Sequence, residues 1–158
     1  LDDNRIDIVI NPGLPIKSWH VEENLYREEF VCVFRDDSSA GEISLSDYLE
    51  RPHILVSLRD DFQGSYDKIL ENQQMSRRIV WSTTHFMAVP FLIANSNCVA
   101  LIPNRMAQQC AKAMNLKLLP PPIAIEGFTI SMVWHQRNRN NLAHQWLRQQ
   151  IVDAVKNI

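Results

Sequence analysis

Directly after a strand-like segment come two hydroxyls, an imidazole and a phenyl ring, carried by Thr83, Thr84, His85 and Phe86. The point where a strand gives way to a helix is a common place for small polar ligands in open α/β proteins, because backbone amides also face it. Hydroxyls and amides there could bind a carboxylate while Phe86 packs on an apolar body. We therefore predict that these four residues contact a small ligand.

The same four side chains also have structural explanations. Thr84 can cap the following helix through its hydroxyl, and this role alone would account for it. His85 could be a first-turn surface residue, although an imidazole there would also provide a pH-sensitive contact. Phe86 could equally belong to the core. Both explanations stay open on the residues alone.

Further candidates lie at or beyond the ends of two other strand-like segments. Asn11 and Pro12 follow the apolar run 6–10 and meet the same strand-end criterion. Ser57 and Gln63 lie at and after the end of another apolar run and are weaker candidates for an opposite wall. These positions extend the predicted ligand site.

A single basic residue, Arg27, is a candidate partner for an anionic ligand. The adjacent Glu28 and Glu29 could instead neutralise it at the protein surface, and we favour that pairing. Arg27 is therefore kept as a candidate with a competing structural role.

Catalytic motifs are missing from the sequence. It contains no Gly-x-Ser-x-Gly elbow, Gly-rich phosphate loop, His-Glu-x-x-His or Cys-x-x-Cys, and its four glycines leave little room for a cradle of backbone amides. The five histidines are scattered, and packing or capping suffices for His135 and His144. We predict no enzyme, no cofactor and no metal ligand.

Composition describes a globular chain with a real core. Its 158 residues are 46% hydrophobic and 22% charged, enough for one domain or two small lobes. A net charge of -2 leaves no basic field to attract a phosphate backbone. No apolar run approaches the roughly 20 residues of a membrane helix, and no leader opens the chain. We expect a cytoplasmic protein that does not bind nucleic acid through this chain alone.

The three cysteines are far apart, odd in number and embedded in apolar segments. That arrangement is typical of reduced core thiols in a cytoplasm and not of a disulfide framework. We predict buried structural thiols at Cys32, Cys98 and Cys110, in preference to a redox sensor.

Strand-like and helix-like segments alternate along the chain. Apolar and β-branched runs predict strands at 6–10, 30–34, 53–57, 78–82, 99–102, 116–119 and 128–134. Capping residues and helical spacing predict helices at 44–49, 64–74, 84–95, from 103 onwards and at 142–158. The alternation implies an α/β sheet with helices on both faces.

Two of these helices carry specific expectations. Pro90 lies inside the stretch 84–95, where it removes a backbone hydrogen bond, so we expect a kink or a late start. In the last helix the apolar residues recur at helical spacing and predict a packed amphipathic face, formed by Leu142, Trp146, Leu147, Ile151, Ala154, Val155 and Ile158.

The last quarter of the chain carries a recognisable pattern: Trp134-His135-Gln136-Arg137 closes an apolar strand, and Ala143-His144-Gln145-Trp146-Leu147-Arg148 opens a helix. It resembles the C-terminal signature of LysR-type transcriptional regulators, Trp-His-x-Arg followed by Asp-Pro-Ala-His-x-Trp-Leu-Arg. Asn141-Leu142 replaces the usual Asp-Pro, but Asn141 can still cap the helix through its side-chain oxygen.

The resemblance continues through three further passages. Residues 93–107 resemble the family's helix, turn, apolar strand, proline and helix. Residues 1–10 resemble the passage before its third effector-domain strand, with Asn4 where Gly is usual, a mild change because Asn tolerates a positive φ. Residues 26–34 resemble its first crossing strand. Each piece is degenerate, but their order and spacing cover nearly the whole chain.

The resemblance implies a two-lobed α/β fold like that of periplasmic solute-binding proteins (type 2), with two crossing strands and a cleft between the lobes. The crossings would lie near 26–34 and 125–131. Residues 1–27 and 131–158 would form the first lobe and residues 28–130 the second. Residue 1 falls inside an element, so we expect an N-terminally truncated chain with an incomplete first lobe.

The implied function is that of an effector-binding and oligomerisation domain of a bacterial regulator. A small effector, a carboxylate or an aromatic, would bind in the cleft and control a DNA-binding domain absent here. Phe128, at the second crossing, joins the candidate contacts. The resemblance also implies a homo-oligomer, a dimer or tetramer, with strand 78–82 and helix 84–95 as one half of the contact, where Phe91, Leu92 and Ile93 exceed one buried stripe. The alternative is a stand-alone solute-binding or enzymatic α/β domain.

Overall fold

The computed structural model describes residues 1–13, 15–36, 43–57 and 64–156. They divide into two compact units, one formed by residues 1–28 and 127–158 and the other by residues 29–126. The chain therefore passes from unit 1 to unit 2 between Glu28 and Glu29, and returns between Glu126 and Gly127.

Unit 1 is built on a three-stranded antiparallel sheet. Its central strand is β8 (Phe128–His135), flanked by β1 (Ile8–Asn11) and β2 (His20–Glu28). β8 holds the central position because its inner residues are mainly apolar or β-branched, and four consecutive ones, 131–134, are buried. The pairing of β2 with β8 shifts register between Asn24 and Tyr26.

Helix α5 (Leu142–Val155) follows β8 in unit 1. The Asn141 side-chain oxygen accepts a hydrogen bond from the His144 backbone N–H at 3.1 Å, so the predicted N-cap is confirmed. His144 is buried, where its Nε2 donates to the Asp7 carbonyl at 3.2 Å and its Nδ1 accepts from the Arg148 guanidinium at 2.6 Å.

The predicted packed face of α5 is wrong at its N-terminal end. Leu142 is 80% exposed and Trp146 is 64% exposed, and Leu147 is exposed as well. The buried residue of α5 near the unit 1 sheet is instead His144, whose ring centroid lies 6.5 Å from that of Trp134 on β8. An imidazole whose two nitrogens both have partners thus takes the place expected for an apolar contact.

Unit 2 contains a five-stranded mixed sheet in the order β5-β4-β6-β3-β7. Its strands are β3 (Phe30–Arg35), β4 (Pro52–Val56), β5 (Arg78–Thr83), β6 (Val99–Pro103) and β7 (Leu116–Leu119). Its helices are α1 (Leu45–Glu50), α2 (Ser65–Glu71), α3 (Val89–Ala94) and α4 (Asn104–Ala111). β4 runs parallel to both β5 and β6, whereas β3 is antiparallel to β6 and β7.

Unit 2 has a hydrophobic cluster on each face of this sheet. Strand β3 divides between them, since Val31 and Val33 belong to one cluster and Cys32 and Phe34 to the other. This alternation is the period of two expected of a strand buried on both sides. Cys32, Cys98 and Cys110 are all buried and unbridged, as predicted.

The segment 84–95 forms a shorter helix than its sequence suggests. A 3-10 turn covers 86–88, and α3 begins at Val89 with Pro90 in its first turn, so the late start is confirmed. The sequence analysis counted Phe91, Leu92 and Ile93 as too many apolar residues for one buried face of the helix. Phe91 is exposed, Leu92 is half-buried and Ile93 is fully buried. No helix in the described part of the chain is long and apolar enough to cross a membrane.

Candidate functional site

The predicted cap role of Thr84 is wrong, because neither the 3-10 turn at 86–88 nor α3 has a side-chain cap. The Thr83 hydroxyl accepts a hydrogen bond from the His85 backbone N–H at 3.1 Å. Thr84 and His85 are exposed, and Phe86 is half-buried against the hydrophobic cluster of unit 2. The hydroxyl of Thr84 and the imidazole of His85 are thus accessible, whereas Phe86 contributes to the core.

Ser57 lies beside this segment, so the prediction that it belongs to an opposite wall is wrong: β4 and β5 are parallel neighbours and end together. Val56 is paired with Thr83 in the β4–β5 ladder, and the Ser57 backbone N–H donates to the Thr83 carbonyl at 3.0 Å. Ser57 itself is buried. Ser57, Thr83 and Thr84 therefore lie together where strands β4 and β5 end, and we call this place the unit 2 edge. Gln63 lies outside the described residues.

Asn11 ends strand β1 in unit 1 and faces Ser131 across the ladder. Both polar atoms of its side chain are buried and have no hydrogen-bond partner among the described residues. Pro12 and Gly13 follow on the surface, and Gly13 turns the chain with a φ of 64°. The strand end predicted as a site thus carries a buried amide whose hydrogen-bonding capacity is unused.

The favoured pairing of Arg27 with its neighbouring glutamates is absent. Arg27 lies opposite Thr129 on β8 and is exposed, and no ion pair joins it to Glu28 or Glu29 in the part of the chain that the structure describes. Glu28 is buried and lies opposite Phe128. Successive strand residues point to opposite faces, so Arg27 and Glu28 diverge.

Phe128 is half-buried at the start of β8. It belongs to unit 1 together with Asn11, Pro12 and Arg27, whereas Ser57 and Thr83 to Phe86 belong to unit 2. The predicted residues therefore form one group in each unit. Sequence reasoning missed two polar residues of the unit 1 sheet, Ser131 opposite Asn11 and Asn24 on the other side of Ser131.

Sequence reasoning also missed a buried polar network in unit 2. Tyr48 and His53 are fully buried with rings 4.6 Å apart, and His53 Nε2 donates to the Tyr48 carbonyl at 2.8 Å. Arg77 donates to the Tyr48 hydroxyl at 3.3 Å and pairs with Asp67. The sequence shows these residues only as single polar positions among apolar ones. That pattern does not reveal which residues hydrogen-bond to each other.

Burial sets the protonation of this network. It lowers the pKa of His53 to about 4, reinforced by the positive charge of Arg77. Burial alone would raise the pKa of Asp67, but the hydrogen bonds and charge of Arg77 outweigh it and lower that pKa. Burial raises the pKa of the Cys32 thiol to about 12. At neutral pH the network therefore holds one ion pair and a neutral imidazole, and the buried Cys32 thiol is protonated.

This network is not arranged as a catalytic centre. The Asp67 carboxylate accepts from the Gly64 backbone N–H at 2.6 Å at the start of α2, and the Tyr66 hydroxyl donates to the Ile123 carbonyl at 3.0 Å. Its polar groups are thus used to join segments of unit 2. Among the described residues no group of three or more His, Cys, Asp or Glu side chains could hold a metal ion.

Comparison with known proteins identifies the kind of domain. The chain matches the family described as LysR substrate binding domain over residues 1–156. It is 25% identical over 155 residues to the HTH-type transcriptional activator NagR of Ralstonia sp, and 28% identical over 160 residues to the HTH-type transcriptional regulator SyrM of Rhizobium meliloti (strain 1021). These matches cover 97% and 98% of this chain but 52% and 48% of the relatives, so the chain spans about half their length.

A solved structure gives the same answer for the fold. The regulatory domain of MexT, a transcriptional activator in Pseudomonas aeruginosa, superposes with a TM-score of 0.82 and 28% identity, over 96% of this chain and 74% of that one. The predicted two-lobed, periplasmic-binding-protein-like α/β fold is confirmed. The chain belongs to the LysR family, as a LysR substrate-binding domain.

Proposed function

We propose that this chain is the effector-binding and oligomerisation domain of a bacterial transcriptional regulator, and that it senses a small metabolite. The family match over residues 1–156 carries the proposal, because it includes the elements of both units. A ligand acts in such a sensor only by binding one conformation of the protein better than another. DNA would be bound by an N-terminal domain outside this chain, which implies a cytoplasmic protein. The alternative of a stand-alone solute-binding or enzymatic domain is not favoured.

The edge of the unit 2 sheet supports a small carboxylate or aromatic as the effector. Thr84 and His85 are exposed there, next to the hydrogen-bonded strand ends of Ser57 and Thr83. Hydroxyl, imidazole and backbone N–H groups are donors to a carboxylate. We infer binding without turnover at this edge.

Ligand-dependent thermal unfolding tests this proposal. The chain would be unfolded with acetate, succinate, benzoate, phenylacetate or phenol at increasing concentration, alone and with Thr84→Ala. A binding ligand stabilises the folded state by about 2.7 kcal/mol at a hundred times its dissociation constant. We expect a concentration-dependent rise in the midpoint that Thr84→Ala abolishes. Ser76→Ala removes an exposed hydroxyl elsewhere in unit 2 and should leave the rise intact.

Two results would contradict the sensor proposal or its site. An absence of any shift across the carboxylates and aromatics would argue for a regulator controlled by its abundance or by protein contacts. A shift that survives Thr84→Ala would keep the sensor but remove the unit 2 edge as its binding site.

We also propose that a second copy of the chain packs against the outer edge of unit 2. Strand β5 is at the edge of its sheet, and exposed apolar side chains lie on it and on the following segment: Val80, Trp81, Met87 and Phe91. Trp81, Met87 and Phe91 are 54%, 59% and 59% exposed, and several large exposed apolar side chains in one short segment are typical of an interaction site. An edge strand additionally offers unpaired backbone groups to a partner.

Sedimentation equilibrium measures this association directly. We expect a dimer or larger assembly that Trp81→Glu converts to monomer, because a buried unpaired carboxylate would oppose the contact. Trp146→Glu, at an equally exposed tryptophan of unit 1, is the matched control and should not change the mass. A monomeric parent chain, or the reverse response of the two variants, would refute this interface.

A further inference from the structure

The amide of Asn11 has a hydrogen-bonding capacity that the fold does not use. Its Oδ1 and Nδ2 are both buried and both lack a partner among the described residues. An unsatisfied buried polar group destabilises the folded state, because it has lost its hydrogen bonds to water. Almost all buried polar groups in folded proteins are hydrogen-bonded, so this exception requires a reason.

Two further polar side chains share the position of Asn11 across the unit 1 sheet. Ser131 on β8 is directly opposite both Asn11 on β1 and Asn24 on β2. Residues opposite each other in an antiparallel sheet project from the same face. The Ser131 hydroxyl donates to Asn24 Oδ1 at 3.0 Å, which confirms this for that pair. We call Asn11, Ser131 and Asn24 the polar row.

The polar row contains no charged side chain. Asn11 offers an acceptor and two donors, Ser131 retains lone pairs, and Asn24 Nδ2 supplies further donors. A group that both donates and accepts would match Asn11, since it can bond Oδ1 and Nδ2 together. A carboxylate can only accept, and would leave Asn11 Oδ1 unsatisfied.

A positive charge lies on the same face at the next position towards the unit boundary. Thr129 is two residues from Ser131 on β8, and Arg27 is paired with Thr129. Same-face neighbours along a strand are about 7 Å apart. Arg27 has no acidic partner among the described residues. This face thus presents neutral hydrogen-bonding groups and then a guanidinium.

We propose that the polar row is a binding subsite for a carboxamide or hydroxyl group of a ligand whose carboxylate pairs with Arg27. The inference rests on the proposed effector binding and adds to it a chemical class for a ligand held by unit 1, an acid that also carries a neutral donor–acceptor group. Arg27 and Asn11 lie on opposite flanks of β8, so two strand spacings of about 4.8 Å add to the offset along the strand. Asn11 ends an edge strand and is followed by exposed Pro12 and Gly13, so the subsite lies beside the protein surface.

Stability and binding of Asn11→Val provide the first test. Valine suits a strand and removes the unsatisfied amide. We expect the unliganded variant to unfold at a higher temperature than the parent chain. Asn140→Val, at an exposed asparagine in the turn before α5, is the control and should give no such rise. A lower midpoint for Asn11→Val would assign Asn11 a structural role and overturn the proposal.

Binding of matched probes provides the second test. The probes are 4-carbamoylbenzoate, which carries both groups, and benzoate, which lacks the amide. We expect 4-carbamoylbenzoate to bind about threefold to tenfold more tightly, and to shift the NMR signals of the Asn11 side-chain NH2. Asn11→Val should remove this advantage, so that the two probes bind the variant equally tightly. Arg27→Gln should weaken both probes.

The outcomes separate this subsite from the proposed function. If 4-carbamoylbenzoate fails to bind, binds no better than benzoate, or keeps its advantage in Asn11→Val, the subsite is refuted. The sensor proposal would survive that result if another metabolite still gave a shift that depends on Thr84. Loss of all ligand responses would refute both.

Discussion

The Arg77 guanidinium donates two hydrogen bonds to the Asp67 carboxylate inside unit 2, from Nε to Oδ1 at 2.6 Å and from Nη2 to Oδ2 at 3.0 Å. The side chain of Arg77 is 2% exposed and that of Asp67 is 12% exposed. The pair joins the start of α2 to the segment before β5. Both charges are largely shielded from water, so removing either partner should carry a large cost.

Removal of either charge should therefore destabilise the chain. We expect Arg77→Met to lower the free energy of unfolding by about 3–5 kcal/mol, because the Asp67 carboxylate would remain buried and unpaired. Urea unfolding followed by circular dichroism measures this. The exposed Arg78→Met is the matched control and should cost less than about 0.5 kcal/mol. A loss below about 1 kcal/mol for Arg77→Met would show that the ion pair is dispensable.

His53 should make unfolding depend on pH. Its pKa in the folded chain is about 4, against 6.5 ordinarily, because burial opposes its charge. As the pH falls from 6.5 to 4, the unfolded chain binds a proton that the folded chain refuses. Stability should therefore decrease by about 3 kcal/mol across this window and this contribution should level off below pH 4.

The variant His53→Gln isolates that contribution. Glutamine can still donate to the Tyr48 carbonyl but does not titrate. Unfolding free energies measured between pH 7 and 4 should fall less steeply in His53→Gln than in the parent chain. His85→Gln, at an exposed histidine, should keep the parental slope. Equal slopes for His53→Gln and the parent would contradict the buried neutral imidazole.

The order of strands and helices could be predicted because each has a local signal. β7 occupies residues 116–119 as expected, and Ser44 caps α1 through a hydrogen bond from the Asp47 N–H. The ends of elements that depend on tertiary contacts were harder to predict. β2 begins at His20, in a polar stretch that reads as no strand, because β8 supplies its partners. α2 ends at Glu71, short of the predicted residue 74.

The candidate site was predictable only as strand ends. The sequence identified Ser57 and Thr83 as strand ends but assigned Ser57 to an opposite wall, because it does not show that β4 and β5 are parallel neighbours. It could not decide whether Thr83 or Thr84 would accept from the following N–H, since that depends on where the turn begins. The polar row could not be predicted, because Asn11, Asn24 and Ser131 are distant in sequence. Only the register of the unit 1 strands brings them side by side.

The N-cap of α5 should contribute measurably to stability. We expect Asn141→Ala to cost about 1 kcal/mol, because the His144 backbone N–H would lose its acceptor. Asn140→Ala changes the neighbouring exposed asparagine, which caps no helix, and should be nearly neutral. The two unfolding free energies measured side by side decide the matter. An equal effect of both variants would contradict the cap.

The thiols should be unreactive in the folded chain. Cys32 is fully buried, and burial raises its pKa to about 12, so almost none of it is the reactive thiolate at neutral pH. Cys98 and Cys110 are also buried. We expect dithionitrobenzoate to label no thiol rapidly in buffer and all three in urea. Rapid labelling of one thiol in buffer would identify an opening of the fold at that cysteine. Cys32→Ser should then show whether the labelled site is Cys32, since the variant would lose the fast phase only in that case.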